Sequence, residues 1–131
     1  MAVIRVPRLV GVFDVGRVIN PLTAASQLRS AMIAGLGGAL TEEGDFDPNN
    51  GRAVIRNLAD YHVPSCADTP DIAVETLDIP DPPMGDLGAR GLGEMGTNNV
   101  PAAIGNALSN ATGKRLRSLP LTPDRVLEAP R

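Results

Sequence analysis

Three patterns in the sequence predict an α+β fold of short strands, two main helices and a short C-terminal helix. β-branched residues crowd the stretch from Val3 to Val15, and apolar residues recur every three or four positions between Thr23 and Leu40. Two later segments, at Asn99-Val100-Pro101 and Thr122-Pro123-Asp124, pair a capping side chain with a proline where a helix can begin.

Val3 to Val6 and Leu9 to Val15 read as a bent or edge strand leading to a turn at Gly16, because Pro7 between them cannot donate to a sheet ladder. Asn20-Pro21 then ends extended structure. The following helix is expected from Thr23 to about Leu40, with Asn20 or Thr23 near its N-terminus. Ala24, Leu28, Ala31, Met32, Gly35, Leu36 and Ala39 form its apolar face. That face is unusually small, which lets another backbone or a ligand approach, although each glycine costs about 1 kcal/mol of helix propensity.

Glu42 to Gly51 is acidic and rich in turn formers, and is expected as an exposed hairpin or connector. Its Asp45-x-Asp47-x-Asn49 pattern lacks the glycine and terminal glutamate of a calcium loop. Val54 to Ile55 and Ile72 to Leu77 are short strand candidates. Asn99 is expected to cap a helix beginning at Val100, with Pro101 in the first turn and Ala103, Ile104, Ala107, Leu108 and Ala111 as its apolar stripe. Gly113 is a natural stop, so the formal sequon Asn110-Ala111-Thr112 reads as a helix end. A last short helix opens at Thr122-Pro123-Asp124.

A chain of 131 residues is expected to form a single domain. With 14 glycines, 12 prolines, no tryptophan, and only Phe13, Phe46 and Tyr61 as aromatics, its core falls to aliphatic residues and methionine. The net charge of −3, without a basic stripe and interleaved aromatics, argues against nucleic-acid binding, and Arg115 and Arg117 after Lys114 read as a solvated face. No apolar run approaches the roughly 18 residues of a membrane span, and no signal pattern opens the sequence, so the chain is expected to be soluble. Cys66 and His62 are each the sole residue of their type. They form neither a disulfide nor a metal cage, so no metal ligands are assigned, and His62 is expected to be structural.

The richest segment is Gly88-Ala89-Arg90-Gly91-Leu92-Gly93-Glu94-Met95-Gly96. Its glycines give the main chain freedom and leave no Cβ to block a large ligand, so it reads either as a loop that brings its one carboxylate, Glu94, to a cofactor as a base or as a tight-turn surface loop with a solvated glutamate. Gly91-x-Gly93-x-x-Gly96 formally matches a dinucleotide fingerprint. The context is wrong, because prolines replace the preceding strand and Lys114-Arg115-Leu116-Arg117 stands where the ribose-binding acid belongs. The loop instead lies between a strand and a helix N-terminus, whose free amides favour an anionic group.

This loop, with Pro101-Ala102-Ala103-Ile104-Gly105-Asn106-Ala107 and Ala111-Thr112-Gly113, resembles the C-terminal end of the large, molybdopterin-binding subunit of the xanthine dehydrogenase and aldehyde oxidase family of molybdenum hydroxylases. The likeness is nearest to bacterial aldehyde oxidoreductases. It extends upstream through Gly11 to Pro21, Ser26-Gln27, Ala39 to Glu43, Tyr61 to Pro64, and Ala67 to Ile72, and so runs from Arg5 to Leu127. One departure is Ser30-Ala31, where the family usually has paired glycines.

The resemblance implies that residues 1–131 are a single C-terminal fragment of the second molybdopterin-binding domain. It implies molybdopterin as cofactor, often in the cytosine dinucleotide form, and oxidation of an aldehyde or N-heterocycle with oxygen from water. Glu94 matches the family's catalytic base. Gln27 matches a cofactor-contacting glutamine, and Gly91 and Gly93 lie where the loop backbone meets the cofactor. The rest of the large subunit, or an equivalent chain, would complete the site, and iron–sulfur and FAD subunits would carry electrons away, since one cysteine holds no cluster. Such enzymes are cytoplasmic, or periplasmic when exported with a signal-bearing partner. The alternative is a non-catalytic remnant or interaction module that keeps the fold. An independent small-molecule binding domain is a third reading, with no motif in its favour.

Overall fold

In the computed structural model, which describes residues 3–130, two parallel strands are linked by a long helix, and two further helices follow. Strand β1 (Arg8–Phe13) pairs in parallel with β2 (Asp71–Thr76), in register from Arg8 opposite Asp71 to Phe13 opposite Thr76. A parallel pair needs a crossover, and helix α1 (Pro21–Leu40) supplies it. Helices α2 (Met95–Thr112) and α3 (Pro123–Glu128) complete the α+β arrangement. Among the described residues, no helix is long and apolar enough to cross a membrane.

Helix α1 starts where expected. Asn20 is its cap, its Oδ1 accepting from the amides of Leu22 and Thr23 at 3.1 and 3.2 Å. All seven residues assigned to the apolar face are buried. Leu28 and Val15 are wholly enclosed, and with Phe13, Met32, Leu36, Val100, Ile104 and Leu121 they make the core. Leu121 also donates its amide to the Ala39 carbonyl at 2.7 Å, fastening the C-terminal segment to the end of α1.

Helix α2 corrects the sequence reading. It begins at Met95, with Glu94 at the cap position, so Asn99 is not the cap and Pro101 lies inside the helix. The first turn forms because tertiary packing supports it. Gly96 lies against Leu28 and Ala31 of α1, and Thr97 donates its hydroxyl to the Ala31 carbonyl at 3.1 Å. Pro101 leaves the Thr97 carbonyl without its helical donor, and Gly35 of α1 packs over that oxygen. The buried stripe is Gly96, Val100 and Ile104, while Ala103, Ala107 and Ala111 of the expected stripe face solvent. Gly113 ends the helix in the left-handed region, φ 73°, so the sequon residues are indeed its last turn.

Two expected strands do not form. Val3 to Val6 precede β1 without pairing, and Val54 to Ile55 lie just beyond an isolated antiparallel bridge between Phe46 and Ala53. That bridge closes an exposed hairpin, as expected for the acidic stretch. The Asp47 carboxylate accepts from the Asn49 amide at 2.8 Å and from the Asn50 side chain at 2.6 Å, so local turn bonds already use its oxygens.

Val10 and Val12, on the outer face of β1, are 59% and 63% exposed. Parallel sheets are ordinarily covered on both faces, so this apolar surface lacks the layer that such a sheet usually has. Arg115 and Arg117 are exposed, while Lys114 before them donates its Nζ to the Val126 and Leu127 carbonyls at 2.9 and 2.8 Å and caps the end of α3.

Candidate functional site

The carboxyl ends of both strands, the start of α1 and the start of α2 converge on the glycine loop. In open α/β arrangements the crevice beyond the strand C-termini is the usual ligand site, because the connections there diverge and leave amides free. The connection from β1 to α1 and the connection from β2 to α2 are stitched together at this end. Asp78 accepts the Val18 amide at 2.7 Å, Gly88 accepts the amides of Arg17 and Asp81 at 2.8 and 2.9 Å, and Arg90 donates its amide to the Val15 carbonyl at 2.9 Å. Asp78 itself sits at φ 48°, a conformation that aspartate tolerates better than most residues. Gly16 is required at φ +67°, where a Cβ would lie 2.4 Å from the Gly88 carbonyl oxygen.

Beyond Arg90 the stitching stops. Among the described residues, no acceptor takes the amides of Gly91, Leu92, Gly93 or Glu94. Nothing lies within 4 Å of where a Cβ would sit on Gly91 or Gly93, so both present open backbone. Glu94 is exposed at the head of α2, and among the described residues no hydrogen bond or ion pair engages its carboxylate. A row of free amides ending in a free carboxylate can donate to an anionic or carbonyl-rich ligand and accept a proton beside it.

Gln27 is exposed on α1 and directly precedes Leu28, whose carbonyl meets Gly96. Among the described residues no hydrogen bond joins its side chain to the glycine loop. Ser30 faces solvent, whereas Ala31 turns into the crossing, its Cβ 3.0 Å from the position of a Cβ on Gly96. A cavity of about 820 Å³ lies elsewhere, between Val6, Leu36, Leu40, Pro70, Leu121 and Pro123 at the opposite ends of the strands. Gln27, Gly91, Gly93 and Glu94 do not line it. The walls that would exclude water around Glu94 are not among the described residues.

His62 and Cys66 are both exposed, and the described residues hold no group of three or more His, Cys, Asp and Glu side chains placed for a metal. One feature the sequence reading missed is the ion network on the loop. Arg90 contacts Asp81 Oδ2 through Nε and Nη2, each at 2.6 Å, and Asp14 Oδ2 through Nη1 at 3.1 Å. Hydrogen bonding to Asp81 and the charges of both carboxylates hold the guanidinium proton more tightly than usual. Only the spatial meeting of residues 14, 81 and 90 reveals it.

A family model described as molybdopterin cofactor-binding domain matches residues 1–70. The chain is 45% identical, over 95% of its length, to the aldehyde oxidoreductase molybdenum-binding subunit PaoC of Escherichia coli strain K12. It is 38% identical, again over 95% of its length, to the xanthine dehydrogenase molybdenum-binding subunit of Escherichia coli O157:H7. It spans 17% and 16% of the length of these two relatives. Among solved structures, quinoline 2-oxidoreductase from Pseudomonas putida 86 superposes with a TM-score of 0.85 at 32% identity, covering 96% of this chain and 17% of that one. The aldehyde oxidoreductase from Desulfovibrio desulfuricans ATCC 27774 does so with a TM-score of 0.83 at 34% identity, covering 97% and 14%. Sequence match and shared fold agree, and the chain belongs to the molybdopterin-binding subunits of the xanthine dehydrogenase and aldehyde oxidoreductase family.

Proposed function

We propose that this chain is the C-terminal portion of a molybdenum hydroxylase that oxidises aldehydes or N-heterocycles with water-derived oxygen, and that it contributes Glu94 as catalytic base. The observation that carries the reading is the unengaged Glu94 carboxylate next to the free amides of residues 91–93. Those amides and the Gln27 side chain suit a polar, anionic cofactor, so the residues present fit molybdopterin, in its plain or cytosine dinucleotide form. When bound, that group supplies a two-electron acceptor and a Lewis-acidic centre.

In this reading the Gly91 and Gly93 backbone orients the cofactor, and Glu94 takes the proton from the oxygen nucleophile at its carboxylate. Exclusion of water around the base would keep the transferred proton within the site. The remainder of the subunit, or an equivalent chain, would provide that enclosure. The share of its relatives that the chain spans and the uncovered Val10–Val12 face both support such a partner. Iron–sulfur and FAD subunits would receive the electrons.

The test is co-production with the remainder of the subunit, followed by Glu94→Gln. The expected result is an assembled enzyme that oxidises an aldehyde, and a variant that assembles equally well and does not turn over. If no complex forms, the alternative of a non-catalytic module replaces this reading.

A further inference from the structure

We propose that Arg90 is a positioning residue, which fixes the loop bearing Glu94 by clamping it to the ends of both strands. The inference rests on Glu94 being the base. Asp14 directly follows β1 and Asp81 lies in the connection after β2, and among the described residues the two carboxylates share the Arg90 guanidinium. Solitary exposed ion pairs contribute little, but here one planar fork engages two carboxylates from separate segments, so its loss frees a joint and not a single contact. The Arg90 amide bond to Val15 is the last main-chain amide bond before the stretch 91–94, whose own amides find no acceptor among the described residues, and Val15 is wholly buried.

Arg90 is therefore one fixed end of the span, and Gly96, wedged against α1, is the other. Between them Leu92 and Met95 pack on the core while Gly91, Gly93 and Glu94 are exposed, so the direction of Glu94 depends on how firmly the two ends are held. With two carboxylates already on its guanidinium, Arg90 is poorly placed to serve an anionic cofactor group. Its role in the site is mechanical.

The experiment compares Arg90→Gln, Arg90→Lys and Asp81→Asn with the parent in two measurements. The first is amide hydrogen exchange of the 131-residue chain. The Asp81 and Arg90 amides should exchange roughly tenfold faster in Arg90→Gln, with α1 unchanged, because a loop with few buried contacts opens locally. The second is steady-state turnover of the chain assembled with the rest of its subunit. Here kcat should fall on the order of tenfold to a hundredfold with KM unchanged, because small displacements of a catalytic group are costly. Lysine should restore part of the loss, since it keeps the charge without the fork.

Unchanged exchange in Arg90→Gln, or faster exchange with unchanged kcat, would overturn the proposal, as would a rise in KM alone, which indicates contact with a ligand. Full turnover by Glu94→Gln would remove the base itself. The exchange measurement, which needs no catalysis, tells that failure apart from a failure of the clamp.

Discussion

Gly96 of α2 lies so close to Leu28 of α1 that a Cβ there would stand 2.7 Å from the Leu28 carbonyl oxygen. The contact sets where α2 begins, and hence where Glu94 stands. Alanine is ordinarily the better helix former by about 1 kcal/mol. At Gly96 the sign should reverse, because the obstacle is backbone that cannot turn aside. Gly96→Ala should lose about 1–3 kcal/mol in urea denaturation. A gain in stability would show that the helices separate freely.

Thr97 supports the same crossing by a different bond. Replacing it with valine keeps the shape and removes the hydroxyl that bonds Ala31, while that carbonyl remains within α1. The expected loss is about 0.5–1.5 kcal/mol by equilibrium denaturation.

Leu28 and Leu22 share one helix and differ in surroundings, since Leu28 is enclosed and Leu22 is 81% exposed. Leu28→Ala should cost about 2–5 kcal/mol. Leu22→Ala should stay within about 0.5 kcal/mol, by the same denaturation measurement. Equal effects would mean that the core is not the one described.

Tyr61 is the only tyrosine, so its ultraviolet titration reports one group. Its hydroxyl donates to Glu42 Oε2 at 2.7 Å, and this bond, with smaller contributions from desolvation and the negative charge, raises its pKa above the usual tyrosine value. The fold thus favours the protonated phenol. The resulting stabilisation is fully present below the ordinary tyrosine pKa and is lost as pH rises through the higher folded value. Glu42→Gln should bring the titration back toward the ordinary value, and an unmoved curve would contradict the contact.

Gly91 offers a test that separates fold from site. Nothing obstructs a Cβ there and its φ is not positive, so Gly91→Ala should leave stability within about 0.5 kcal/mol. In the assembled enzyme the same methyl group would intrude where the proposed cofactor meets the backbone. Molybdenum content per assembled enzyme should therefore fall, and full loading would place the cofactor elsewhere.

Local patterns were enough for much of this molecule. The apolar spacing from Ala24 to Ala39 marked α1 and its buried face, Asn20 its start, Gly113 the end of α2, and the Thr122-Pro123 step the start of α3, since each depends on neighbours within a few residues. The glycine loop stood out by its composition, and Gln27, in α1, by family likeness, while the roles given to Gln27, Gly91, Gly93 and Glu94 belong to the proposed function. Tertiary structure decided the rest. The start of α2 moved from Val100 to Met95 because Gly96 and Thr97 found partners on α1, and Val3–Val6 and Val54–Ile55 stayed unpaired because the sheet brought no strand to them. The clamp of Arg90 on Asp14 and Asp81 joins residues far apart in the chain. No spacing rule encodes such a meeting, which exists only once the two strands lie side by side.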